Sequence, residues 1–409
     1  LPSKFETLLL VALLLEILLG GNGYLTQVGG IRVRVLLSAV CIAWVAVRLL
    51  SSQTERLPHQ IWCLFFLFMG VTSLGILVGI YNGNGMDLIA SELKPLLYFP
   101  LILFFAHAIR NQADVERVTR LIVVCGVVQA FVYLAVMAAV HSGAVSYSTV
   151  YLFLRESDEF IFRHNPEEEF FLGFFYKGAF HLSVAALFLL LHPVWKNKWL
   201  ALIVLTAIGL TLTRGLTAAL ILSLVAAVFL MPRKRWVAVL LVLGGLAGSV
   251  FLLADPLVYL QRSVSDEIRL ADLHTILSEL DPSMLLFGKG IGALIGERPR
   301  IEMNYLEVLY KQGIIGLLPW GALLLVNFLA FQRVRGSLRQ QALVFHLAAL
   351  FVYFATATNT FLTGSIGMSI VLISTVVLLV MDKTQVLEEP GPEGFACTSD
   401  PVLGTRQCT

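Results

Sequence analysis

Charge is what this sequence has least of. Only 14% of its 409 residues are Asp, Glu, Lys or Arg, against roughly a quarter in ordinary soluble domains. Hydrophobic residues make up 58%, and the mean hydropathy is +0.84. That balance excludes a soluble enzyme and predicts a chain that crosses a membrane many times. The near-zero net charge of +2 carries no information about partners, because in such a chain the position of each basic residue matters more than the sum. Cysteine is also sparse. Cys41, Cys63 and Cys125 lie in apolar runs, Cys397 and Cys408 lie in a polar tail, and none has Cys-x-x-Cys spacing, so neither a disulfide framework nor a metal site is expected. The chain has no Gly-rich phosphate loop, no dinucleotide fingerprint and no visible internal repeat, which argues against nucleotide chemistry and nucleic-acid partners. The first apolar run ends in "LLGGNGYLTQVGG" without a small-x-small cleavage signature, and reads as a retained span.

At about 20 apolar residues per crossing, runs near 5–20, 31–50, 61–80, 95–110, 120–140, 172–192, 199–213, 215–231, 236–253, 303–330, 340–358 and 361–381 predict an all-α polytopic bundle of about twelve spans. The short seventh and eighth runs meet at "TLTRGLT", where Arg214 and Gly215 interrupt what would be one long helix; a tight hairpin or helices broken at membrane depth would both fit. Arg48 and Arg56, then Arg110, Arg117 and Arg120, Lys196 and Lys198, Arg233 to Arg235, and Arg333 to Arg339 fall in alternating short loops. The positive-inside rule puts these loops, and both termini, in the cytoplasm. The other face receives two long loops, 141–171 and 254–302, the second between the ninth and tenth spans. Residues 1–385 read as one transmembrane domain, and 386–409, rich in Pro, Gly, Ser and Thr, as a disordered or peripheral tail.

Loop 254–302 carries Arg262, Arg269, Lys289, Arg298 and Arg300, too many cations for a segment on the non-cytoplasmic side. An anionic ligand would explain them, since the Arg fork grips phosphate oxygens at two points. Pairing with Asp266, Glu267, Asp272, Glu279, Asp281 and Glu297 is the competing explanation. Arg214 stands at a span boundary with no carboxylate near it in sequence, and reads as functional. In the earlier loop, Arg163 and His164 are further candidates for an anion site, beside the Glu167 to Glu169 run. Lys177 falls in an apolar stretch expected to be helical, where it needs a carboxylate, a watery cavity or an anionic ligand.

The stretch "IEMNYLEVLYKQGIIGLL", residues 301–318, opens a span with charge. Glu307 and Lys311 are four apart in the favourable helical order and are expected to compensate each other. Glu302, Leu306, Leu309, Gly313 and Gly316 share a second face, a row of small residues below an acidic one, which lets helices approach closely. Glu302 has no helical partner. An unpaired carboxylate beside an Arg-rich loop is a candidate general base, with a helix-terminal Glu favoured by the macrodipole as the plain alternative. Asn304 is a polar neighbour that fits a supporting role.

Three segments in this order, "TLTRGLTAALILSLVAAV", "SDEIRLADLHTILSELDPSMLLFGKGIG" and "EMNYLEVLYKQGIIGLL", resemble the bacterial O-antigen polymerase/ligase superfamily, membrane glycosyltransferases of the GT-C type. The likeness covers about residues 170–330; the amino-terminal half matches in hydropathy only. It implies a GT-C-like bundle in the bacterial inner membrane with its active site facing the periplasm. It further implies a glycan carried on undecaprenyl diphosphate, an acceptor glycan, a chain-length regulator as partner, and no cofactor or metal. By the same resemblance Arg214 and Arg269 match diphosphate-binding arginines, with Arg262, Arg163 and Arg300 as further candidates and His164, Lys177, Lys289 and Asn304 in support. In the ligases a catalytic His stands eleven residues before the Gly that matches Gly313. Here that position is Glu302, which favours a polymerase over a ligase. A lipid-linked oligosaccharide flippase or transporter is the rival from another class; such proteins often carry inverted repeats.

Overall fold

The structure is a computed structural model that describes residues 4–21, 26–28, 31–51, 57–156, 160–162, 174–193, 197–211, 213–230, 263–358 and 360–388. Lipid offers no partner for backbone N–H and C=O groups, so long apolar runs satisfy them internally as helices. In chain order these are α1 (Lys4–Leu19), α2 (Val33–Leu50), α3 (His59–Tyr81), α4 (Met86–Leu96), α5 (Leu101–Ala108), α6 (Gln112–His141), α7 (Tyr147–Glu156), α8 (Ala179–Leu191), α9 (Lys198–Leu210) and α10 (Arg214–Leu230). After them come α11 (Ser263–Ser278), α12 (Pro282–Phe287), α13 (Asn304–Arg333), α14 (Arg339–Thr356) and α15 (Ser365–Glu388). Two small antiparallel strand pairs, Gln27–Val28 with Ile31–Arg32 and Phe160–Phe162 with Phe174–Tyr176, and a 3-10 turn at Gly336–Leu338 complete the described elements.

Seven helices among the described residues are long and apolar enough to cross a membrane: 33–50, 59–81, 86–108, 112–141, 304–333, 336–356 and 365–385. The expected span near 236–253 lies outside the described residues. Helices α8, α9 and α10 are apolar but short; the 13 residues of α8 rise only about 20 Å, against about 30 Å of hydrocarbon. Helix α9 ends at Leu210 and α10 begins at Arg214, and the two take different company: α9 packs on α6 and α8, α10 on α14 and α8. The crossing expected at 95–110 begins at Met86 instead and is interrupted at 97–100 between Pro95 and Pro100.

Helix α15 is the centre of the bundle. It contacts α14, α13, α5, α6 and α1, and its apolar side chains are buried on every side. Around it the described chain packs into one continuous apolar core, while a smaller cluster built on Ile276, Met284, Ala293, Ile295, Ile301 and Tyr310 anchors the region 276–301 to α13. Residues 263–302 are thus not a free loop. Asp281 caps α12 by accepting the Met284 N–H at 2.7 Å, with Pro282 at the first helical position, a favourable start.

Candidate functional site

After α12 the chain runs Gly288-Lys289-Gly290-Ile291-Gly292, with φ of 72°, 86° and 86° at the three glycines. Only glycine adopts such values without strain, and close backbone packing explains why they are needed. A Cβ on Gly290 would lie 2.1 Å from the Gly79 nitrogen of α3, and one on Gly288 would lie 2.3 Å from the carbonyl carbon of Lys311. Lys289 and Gly290 donate their N–H groups to the carbonyls of Tyr310 and Lys311, both at 2.8 Å. Those carbonyls are open because α13 breaks at Gly313, where φ is 64° and ψ −166°. Ile291 donates to the Gly75 carbonyl at 2.9 Å, and the Asn84 amide reaches the carbonyls of Lys289 and Ile291 at 3.1 and 3.0 Å.

This geometry corrects the expected small-residue row on a regular helix. Gly313 is the break itself, where a Cβ would meet the Leu286 carbonyl oxygen at 2.2 Å. The close approach comes from the backbone of α12 and not from a second membrane helix.

Below the glycine loop sits a buried ionic cluster. Lys311 is 3% exposed. Its ammonium donates to Glu92 Oε1 at 2.6 Å, to Glu307 Oε1 at 3.1 Å and to the Pro299 carbonyl. The other Glu92 oxygen accepts the Gly292 N–H at 3.0 Å. The other Glu307 oxygen accepts from the Asn304 amide at 3.4 Å, and Asn304 also donates to Thr363 Oγ1 at 2.8 Å while accepting the Thr363 N–H at 3.2 Å. The expected Glu307 and Lys311 pair is present, but the shorter partner is Glu92 on α4.

Glu302 is not unpaired, contrary to the expectation from helical spacing. Its Oε2 accepts two guanidinium N–H groups from Arg269 of α11, at 2.6 Å from Nη2 and 3.0 Å from Nε. The partner is 33 residues upstream on another helix, so no local pattern could show it. Both side chains are partly exposed, 29% for Arg269 and 49% for Glu302. The structure therefore brings together two of the residues nominated from sequence.

The remaining nominees divide. Lys289 pairs with Glu279 and lies 5.2 Å from the centre of the Tyr310 ring, and Arg298 pairs with Asp272. With Arg269 they account for three of the five cations of loop 254–302, so the surplus of positive charge is smaller than the sequence suggests. The Lys289 ammonium, and then the Tyr310 hydroxyl, hold the Glu279 carboxyl below the usual carboxylate range by hydrogen bonding. Arg300 is exposed and carries no ion pair among the described residues; it lines a cleft with Glu92, Glu307, Lys311 and Thr363. Asn304 is buried in the network just described. Lys177 lies in the turn before α8 and not inside a helix, so it is not a lysine in the middle of an apolar helix. Arg214 is the first residue of α10. Arg163, His164 and Arg262 lie outside the described residues.

Two buried charged residues, Glu92 of this network and Arg34 elsewhere in the bundle, were not singled out by sequence. Glu92 falls in "SELKPLL", just ahead of where the apolar run was taken to begin. Arg34, 1% exposed, donates to Ser365 Oγ at 3.0 Å and to the carbonyls of Glu16 and Gly21 at 2.9 and 2.6 Å. Its signal was a cation in "RVRVLL" on the side where the loop pattern disfavours basic residues.

No family model matches the chain. It is 28% identical over 377 residues to an O-antigen polymerase of Shigella flexneri, a similarity that spans 90% of this chain and 94% of that protein.

Proposed function

We propose that this chain, on the strength of its similarity to an O-antigen polymerase over 90% of its length, belongs to that family and polymerises glycan repeat units by transfer from undecaprenyl diphosphate to a lipid-linked acceptor on the periplasmic face of the inner membrane, without a metal. The observation that carries the reading is the pairing of Arg269 with Glu302, both partly exposed. Transfer from a lipid diphosphate needs cations to stabilise the leaving diphosphate and a base to take the proton of the acceptor hydroxyl. In the resting protein these two groups engage each other. When the diphosphate arrives, the Arg269 fork turns to its oxygens, and Glu302 is left as a free carboxylate at the moment a base is required. The acceptor oxygen then attacks the anomeric carbon, the bond to the diphosphate breaks, and the proton passes to Glu302. Arg300 and Arg214 are further diphosphate ligands in this reading, and guanidinium charge takes the place that a divalent metal fills in other transferases. Arg262, Arg163 and His164, outside the described residues, are lesser candidates from sequence.

Purified protein given a lipid-diphosphate oligosaccharide, with and without lipid A-core, tests the proposal. A ladder of lengthening lipid-linked glycan is the expected product. Transfer to lipid A-core alone would make the protein a ligase, and movement of labelled substrate across liposomes without either product would make it a transporter.

A further inference from the structure

Charge along α13 locates one edge of the hydrocarbon. Residues 313–331 contain no Asp, Glu, Lys or Arg. That stretch is about 28 Å long at the helical rise, close to the roughly 30 Å of a bilayer core. Glu307 and Lys311 both lie before it, so Gly313 stands at the membrane boundary. Helix α3 gives the same level independently. It has no charged side chain, and it ends at Tyr81, 90% exposed; Tyr concentrates where hydrocarbon meets headgroups.

Helix α12 is pinned to both marks. A Cβ on Gly313 would meet the Leu286 carbonyl oxygen, Gly288 packs on the backbone of Lys311, and Gly290 packs on Gly79, two residues before Tyr81. The α12 sequence, PSMLLF, carries no charge. Met284 is buried in the cluster with Ile276 and Tyr310, whereas the next three side chains, Leu285, Leu286 and Phe287, are 37%, 45% and 40% exposed. Three successive exposed apolar side chains mark an interaction surface. Their level names the occupant. Ile314 of α13 and Ile80 of α3, at the same boundary, are also exposed, and on spanning helices such residues face lipid.

We propose that α12 is an interfacial foot, with Leu285, Leu286 and Phe287 inserted between the acyl chains and headgroups of one leaflet, as the apolar faces of monotopic helices are. The foot holds more than itself. Ile276 of α11, Met284 of α12 and Ile301 share one buried cluster, and Arg269 of α11 bonds Glu302, the residue after Ile301. The unit carrying that pair is thereby kept at the bilayer surface, the height at which a lipid-linked diphosphate lies. This last consequence rests on the glycosyl-transfer reading; the insertion itself does not.

Leu286→Cys and Phe287→Cys, each labelled with bimane, test the foot after reconstitution into phosphatidylethanolamine and phosphatidylglycerol vesicles. Cys63, Cys397 and Cys408 are replaced by Ser in these proteins, while Cys41 and Cys125 are buried and stay. Lipids spin-labelled at a shallow acyl position are expected to quench both labels, and iodide on both sides of the membrane to quench neither. A label at Glu297→Cys, in the exposed turn between Ile295 and Arg298, is expected to be quenched by iodide. Iodide quenching at Leu286→Cys and Phe287→Cys without quenching by lipid overturns the foot. Shielding of both labels from both quenchers overturns it too, since protein, a second copy or another chain, would then cover this face. Elongation has no part in this readout, so a failed glycosyl-transfer reading leaves the result intact.

Discussion

Lys311→Met removes the ammonium that Glu92 and Glu307 share while keeping most of the side-chain volume. The consequence follows from burial: Lys311 is 3% exposed and both carboxylates 7%, so water does not replace the lost partner. Removing one member of a buried ion pair leaves an uncompensated charge and costs roughly 3–5 kcal/mol. The Lys289 and Glu279 pair supplies an internal control. Its side chains are 38% and 36% exposed, and exposed pairs contribute only about 0.2–1 kcal/mol, so Lys289→Met is expected to cost little. Unfolding of the two variants in mixed micelles, followed by denaturant titration, compares them directly. Adding Glu92→Gln to Lys311→Met is expected to recover more than about 1 kcal/mol, the coupling typical of contacting residues. Equal small losses from both lysine variants, or no recovery in the double variant, would refute the claim that the cluster is a buried element of the fold.

The broken helix gives a second prediction. Gly313→Ala places a Cβ 2.2 Å from the Leu286 carbonyl oxygen at a backbone conformation reserved for glycine, and is expected to destabilise by at least about 1–3 kcal/mol, whereas Gly321→Ala, with nothing within 4 Å, is expected to be silent in the same unfolding assay. A third concerns acid. Glu279 is held below the usual carboxylate range, so its link to Lys289 and Tyr310 is complete above that range and is lost as pH falls through the lowered value; protease cleavage within 263–302 should rise on acidification in the wild type and be high and pH-independent in Glu279→Gln. Arg269→Ala is expected to weaken donor binding measurably, read by retention of labelled lipid diphosphate, and normal affinity would remove Arg269 from the clamp.

What could be read from sequence was local. The membrane class and most crossings follow from apolar runs, and the Glu307 and Lys311 pair follows from a four-residue spacing. The failures are contacts that no local pattern encodes. Glu92 and Lys311 are 219 residues apart, and Glu92 was placed outside its span because the apolar run appears to start only after Pro95. Glu302 looked unpaired because its partner sits on a different helix. Gly313 and Gly316 fit a helix-packing row by spacing, yet Gly313 answers to the carbonyl of Leu286, a tertiary demand that reverses its φ. The arginine surplus of loop 254–302 shrank for the same reason: Arg298 and Lys289 find carboxylates only once α11 and α12 fold against α13.

In the proposed mechanism Arg269 trades Glu302 for the donor's diphosphate and so releases the base. Donor affinity and elongation measured together on Glu302→Gln test it most directly. Freed from its carboxylate, an exposed pair worth about 0.2–1 kcal/mol, Arg269 should bind lipid diphosphate up to roughly fivefold more tightly, while elongation is abolished. Elongation at the wild-type rate, or donor binding weaker than wild type, would contradict the account.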